Sequence, residues 1–325
     1  GAILGMGSLS MTNCTINNNS ATDSGGGIAY GTYSSNTYIS NYSPNDGTIT
    51  LDANTKIQNN TAGNNGGGLY VEVTPIHIAA GSGSGQSAYD VQSYTVNLNV
   101  NGATVSGNTA GKSGGGIFMT RNTKLYTTNI NLNYGTIENN TATSNYGGGV
   151  YASTTASSDA IPVTIGSTSG TMTIRKNKAT YGGGVFISQG NVTIKGGQIG
   201  ESGKANEATT GHGGGIYITG ANSQVSVEGG NVAYNTATNG NGGGIYVANS
   251  NSTGTTIKSS AHVNNNSARN GAGAFINGGK LTIDGSSVQV NNNTASTSGG
   301  GVYVNSGALS VTSATIASNT AAPHG

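Results

Sequence analysis

Gly211-His212-Gly213 and eleven scattered carboxylates are the residues of this chain best suited to acid–base chemistry. Cleaving a glycosidic bond needs two carboxylic groups held across one substrate. Asp23, Asp52, Glu72, Glu138, Asp159, Glu201, Glu228 and Asp284 do not fall at one recurring position, so repetition does not gather them on one face. Glu201, Lys204 and Glu207 share a short insertion that reads as a solvated turn. No Asp-rich cluster suggests calcium. Cys14 is the single cysteine, so disulfides do not hold the chain together. These residues predict no catalysis, no metal and no cofactor.

Two other sets recur in rank. Tyr70, Phe118, Tyr151, Phe186, Tyr217, Tyr246, Phe275 and Tyr303 each follow a glycine triplet by the same interval. Alternation with inward Ile and Val predicts an exposed aromatic column, suited to stacking sugar rings or a second filament, or to stabilising the sheet by cross-rung stacking. Asn18, Asn59, Asn139, Asn265 and Asn292 open N-x-[ST] triplets, and Asn13, Asn41, Asn191 and Asn251 are further matches. The five recurring asparagines are candidate glycosylation positions, each expected to point outward.

What positions both sets is an internal repeat. Glycine triplets, or the variant GAG, begin at Gly25, Gly66, Gly114, Gly147, Gly182, Gly213, Gly242, Gly271 and Gly299. Upstream of each stands Asn-x-Ala, at Asn19, Asn60, Asn108, Asn140, Asn177, Asn206, Asn235, Asn266 and Asn293, with a further copy at Asn319. Ile or Val precedes the Asn by three residues except at Asn206, where IGESGKANEA carries an insertion. Triplets lie 28 to 48 residues apart. The intervening runs alternate apolar with polar, the period of a half-buried strand, and none has helical spacing.

This pattern predicts an all-β chain wound as a right-handed parallel β-helix, a single-stranded solenoid of about ten coils with three short strands per coil. Stacked coils bury columns of Ile and Val that no coil could bury alone. The repeated Asn is expected to turn inward as an amide ladder, and the Gly triplet to mark positive φ or close backbone approach.

Composition narrows the function classes. Charged residues make up 7% of the chain against about 25% in an ordinary domain, and net charge is +1. That gives no reason to expect nucleic acid, and no apolar run reaches the length of a membrane-spanning helix. Low charge alone would also suit a disordered chain, but 16 Tyr and abundant Ile and Val oppose that.

The motif I-x-x-N-x-A followed by G-G-G-I-Y resembles the F-x-x-N and G-G-A-[ILV] repeats of chlamydial polymorphic membrane proteins, with Ile or Val here in place of Phe. It is also similar to β-helix repeats of large adhesin-like surface proteins of gut bacteria and methanogenic archaea. The resemblance implies a parallel β-helix displayed outside the cell. Pectin lyases and polygalacturonases are β-helices too, and the latter carry a GHG. His212, however, fills the slot before the triplet that holds Asn65, Ser113, Tyr146 or Asn241 in other copies, so it reads as a turn residue.

The repeat domain is expected to occupy 1–325, as a segment of or subunit in a longer solenoid, with loop insertions at 31–47, 74–94, 120–129 and 153–170. Residues 1–19 align on 301–319 without a gap, so Gly1, Ala2 and Ile3 read as completing a coil that ends in His324 and Gly325. The predicted function is an extracellular structural and adhesive cell-surface protein that builds a filament by continuing the β-helix end to end. The alternative is a carbohydrate-binding or carbohydrate-active domain of a secreted protein. Expected partners are other copies of itself, head to tail or laterally, and glycans or proteins of host or cell surfaces.

Overall fold

A computed structural model describes residues 1–5, 7–31, 46–73, 94–122, 126–155, 160–248 and 254–322. Much of the predicted insertions, together with Asp159, Asn41, Asn251, His324 and Gly325, lies outside the described residues. Within them the chain contains strands and turns and no helix, and every ladder is parallel. Strands stack on their equivalents one repeat away, which is the architecture of a parallel β-helix solenoid.

The first ladder is formed by the strands after the triplets. Ile117–Arg121 pairs with Val150–Thr154, in the register Ile117↔Val150, Phe118↔Tyr151 and Met119↔Ala152, and the same slots continue through Val185, Ile216, Ile245 and Ala274. A second ladder runs through Gly47–Asp52, Ile161–Ile165, Gly190–Ile194 and Gln224–Val227. A third carries the Ile or Val of I-x-x-N, as in Ile137↔Ile174. In Tyr94–Ser106 and Tyr126–Glu138 the second and third strands are one continuous run.

Three strands per coil is one too few. The residues straight after the ladder Asn, such as Thr61–Ala62 and Thr109–Ala110, form a separate sheet of ten strands, most of them two or three residues long. Two residues cannot show an alternating pattern, so this strand left no periodic trace in the sequence. Its alanines from Ala62 to Ala295 are buried, and Ala208, Ala237, Ala268 and Ala295 pack in a cluster of their own with Ala272 of the GAG triplet. Insertion 153–170 also shrinks, because Ile161–Ile165 is the second strand of its coil and pairs with Gly190–Ile194. Tyr126–Glu138 likewise begins inside 120–129.

The core is one continuous cluster of aliphatic columns running through the stack. Ile57, Val105, Ile137, Ile174, Ile199, Val232, Val263 and Val290 are all fully buried. Ile199 fills the slot that seemed vacant upstream of Asn206: it pairs with Ile174 and Val232, and the inserted residues turn away through a bridge between Glu201 and Lys204. The apolar column is thus kept across the one irregular copy.

Candidate functional site

Every copy but that of Asn206 turns a left-handed corner at the residue before the ladder Asn. Asn18, Asn59, Asn139, Asn265 and Asn292 have φ between 54° and 56°, and Gly107, Lys176, Tyr234 and Ser318 occupy the same place with φ between 54° and 66°. Asn and Gly tolerate this left-handed conformation best. The recurring N-x-[ST] is therefore a backbone requirement first: a left-handed Asn, a ladder Asn, then the Ser or Thr of a strand. Four of the five side chains are exposed and Asn265 is half-buried.

The next residue turns inward. Asn60, Asn108, Asn140, Asn177, Asn206, Asn235, Asn266 and Asn293 are buried, while Asn19 and Asn319 are half-buried. Asn140 shows the pattern. Its Oδ1 accepts from the backbone N and the Nδ2 of Asn108, both at 3.0 Å, and its Nδ2 donates to Val105 O at 2.9 Å and Asn177 Oδ1 at 3.0 Å. The same relation links Asn19 to Asn60 and Asn293 to Asn319, always with donation toward the C-terminal neighbour. Every amide dipole in the ladder points the same way along the stack.

The aromatic column is not exposed. Rings of successive coils lie 4.6–5.3 Å apart, nearly parallel, from Tyr70 through Phe118, Tyr151, Phe186, Tyr217, Tyr246 and Phe275 to Tyr303. Phe118, Phe186, Tyr246 and Phe275 are 5–8% exposed, and the other four are half-buried. The rings do lie outside the aliphatic core, but each covers the faces of its neighbours. Ring edges and hydroxyls face outward, so the column offers sugars no free row of faces. Burial, followed by neighbouring tyrosines, pushes the Tyr217 hydroxyl up to about 12. Burial and a hydrogen bond to Glu72 raise that of Tyr70.

A second aromatic rank was missed. Tyr146, Tyr181 and His212, each immediately before a triplet, lean on the ring of the following coil: Tyr146 on Phe186 at 4.4 Å, Tyr181 on Tyr217 at 5.8 Å and His212 on Tyr246 at 4.5 Å. The signal in the sequence was three consecutive copies with a ring in that slot.

His212 is a link between coils, its Nδ1 accepting the backbone N–H of Asn241 at 3.0 Å. That bond requires neutral imidazole with its proton on Nε2, and burial lowers the His212 pKa. A histidine with a depressed folded pKa contributes stability that is full above its unfolded value, about 6.5, and is lost as pH falls through the folded value. The melting temperature should therefore drop on going from neutral to mildly acidic pH. The drop should be smaller in His212→Tyr, which copies the ring at Tyr181; equal acid sensitivity of the two proteins would refute the assignment.

The carboxylates do not converge. Arg175 bridges Glu138, at 2.8 Å, and Glu201, which also holds Lys204 at 3.1 Å. Glu207 pairs with Lys178 and Glu228 with Lys258, both at 3.2 Å. Among the described residues no three His, Cys, Asp or Glu are grouped to hold a metal ion. At the N-terminal side, Ala2 and Ile3 donate to Gly27 O and Ile3 pairs with Ile28, so Gly1–Ile3 lie against the coil of the first triplet. At the other side Leu309, Val311 and Ile316 are 42–48% exposed, although their equivalents in inner coils are fully buried.

The repeats thus share an inward amide, a left-handed corner in all but the Asn206 copy and, from Tyr70 onward, a stacked ring on the outer side of the sheet. Residues 13–30 and 54–72 match the Chlamydia polymorphic membrane protein repeat. Each match runs from the strand before the ladder Asn, through the corner and triplet, into the first-ladder strand. The searches of curated proteins and of solved structures found no match. No helix among the described residues is long and apolar enough to cross a membrane.

Proposed function

We propose that the chain is an extracellular structural and adhesive element, a rod that extends by adding β-helix coils and assembles end to end into a filament. The carrying observation is the continuity of the amide ladder from Asn19 to Asn319, which keeps one register and one direction through every copy. A tube of equivalent rungs accepts another rung of the same kind, since stability in such solenoids comes from nearest-neighbour contacts. The uniform polarity of the ladder permits only head-to-tail continuation, a heterologous contact that propagates.

We read the chain as non-catalytic. Glu138, Glu201, Glu207 and Glu228 are held by basic side chains, which leaves none of them poised to trade a proton with a substrate.

Two measurements test this reading. Antibody against the chain should label intact, unpermeabilised cells. Electron micrographs of concentrated protein should show threads of constant width. Short rods at every concentration would remove the filament, and labelling only after permeabilisation would remove surface display.

A further inference from the structure

The slot before the triplet changes character along the stack. It holds Tyr146, Tyr181 and His212 in three successive copies, then Asn241 and Asn270 in the next two. Because a ring in this slot leans on the column one coil ahead, no second ring among the described residues lies against Phe275 or Tyr303, although Phe275 stays buried within the column and Tyr303 is half-buried. The result is a trough of about 280 Å³ on the outer face of the first ladder.

Its floor is made of the edges of Tyr246, Phe275 and Tyr303, whose centroids are spaced 5.2 and 5.0 Å. Amide pairs form both walls: Asn270 Nδ2 donates to Asn241 Oδ1 on one side and Asn305 Nδ2 to Asn277 Oδ1 on the other, each at 2.9 Å. Burial raises the pKa of the Tyr246 hydroxyl and the neighbouring Asn277 amide opposes that rise. A carboxamide has two N–H donors and an acceptor with two lone pairs, so one bond within each pair leaves capacity for a ligand.

We propose that this trough binds a neutral glycan chain lying along the stack. The lining contains amides, phenol hydroxyls and ring edges and no charged side chain, which removes the attraction that phosphate, nucleic acid or sulfated polymer would need. An extended peptide adding to a sheet needs a free backbone edge. Here Ile245–Ala248 and Ala274–Asp284 are paired on both sides, so no peptide strand can add between the rings of the floor. What remains is a ligand rich in uncharged hydroxyls, which exchange hydrogen bonds with amides on both walls. The repeated spacing along the floor suits a polymer rather than a single sugar. The inference names a ligand class for the adhesive role proposed above and rests on that reading.

The test uses the whole chain and a panel of neutral gluco-, manno-, xylo- and galacto-oligosaccharides, with heparin as the charged control. Binding is measured by calorimetry at about 0.05 and 0.5 M salt. The expected result is binding to a neutral oligosaccharide that the salt does not weaken. Asn270→Tyr, which restores the cover seen at Tyr181, should weaken it about tenfold or more, and Asn305→Ala, an exposed change that spares the fold, by severalfold. Circular dichroism melts of both variants should stay near that of the parent. No binding to any neutral member, binding to heparin alone, or equal affinity in Asn305→Ala and the parent would overturn the proposal. If the variants lose oligosaccharide binding but still label cell surfaces and form threads, the trough stands apart from the filament. Cell adhesion that persists in Asn270→Tyr with no glycan bound by the parent would keep the adhesive rod and discard the trough.

Discussion

Asn140→Ala should destabilise its region of the β-helix by about 4–6 kcal/mol, since it removes four buried hydrogen bonds at once and each orphaned group costs about 1–3 kcal/mol. The backbone N–H and one amide N–H of Asn108 lose their acceptor, and Val105 O and Asn177 Oδ1 lose a donor. The methyl group that remains can replace none of these. Because coils contact only their neighbours, the loss should be local. Hydrogen exchange at the backbone amides of Val105, Asn108 and Ile174 should accelerate strongly, while those around Val290 keep their protection. Uniform acceleration along the chain, or none, would show that the ladder is not what ties adjacent coils.

Asn140→Asp makes a sharper version of the same test. The shape is conserved, but an oxygen now stands where Nδ2 faced two acceptors, Val105 O and Asn177 Oδ1. The folded variant must hold this carboxyl protonated, with a pKa above the ordinary aspartate value of about 3.9. The unfolded chain releases the proton at lower pH than the folded one. Stability is therefore greatest below about pH 4 and falls as pH rises, the reverse of the usual carboxylate effect. Urea midpoints at acid and neutral pH should differ in that direction, and parent protein should show no such component.

The second large effect is Gly116→Ala. A Cβ built there comes 2.6 Å from Gly149 O and 3.0 Å from Asn140 Nδ2, both in the following coil. A backbone carbonyl and a fully bonded ladder amide cannot step aside singly, so the coils must part along the axis. Overpacking of this kind costs about 3 kcal/mol or more. The neighbouring position, where a Cβ on Gly115 would meet Gly148 O at 2.5 Å, nevertheless admits alanine in one triplet. Ala272 takes the middle place of its triplet where only five residues run from Asn266 to Gly271, and its amide reaches Gly299 O at 3.3 Å against 3.1 Å for Gly115 to Gly147 O. The third position is glycine in all nine triplets. A Gly116→Ala protein that unfolds within about 2 °C of the parent would contradict this packing argument.

Much of this architecture is legible in the residues because a solenoid is close to one-dimensional. The inward placement of Ile137 or Val263 follows from alternation within a strand, and the partner of each is simply the same slot in the next copy. Where the copies are regular, aligning the sequence on itself is the same operation as stacking the coils. The reading failed where a short element carries no pattern, as with Thr61–Ala62, and where an insertion hid the continuing column, as with Ile199 beyond the copy's usual spacing.

The aromatic rings mark the boundary most clearly. Their side of the sheet was set by the alternation around Tyr151 or Phe186, which is a local property of the chain. Their exposure was not, because it depends on what lies about 5 Å above and below each ring and on whether a second ring leans across from the preceding triplet. The recurring N-x-[ST] similarly looked like a chemical signal until the left-handed φ of Asn59 and Asn139 supplied a backbone reason for the asparagine. Repetition in the chain determined the fold, the core columns and the register of the amide ladder, since each depends on one coil matching the next. Only the tertiary structure decided the single direction of that ladder, the closing of the ring column and the opening of the trough at Asn241 and Asn270, since these depend on side chains from different coils meeting in space.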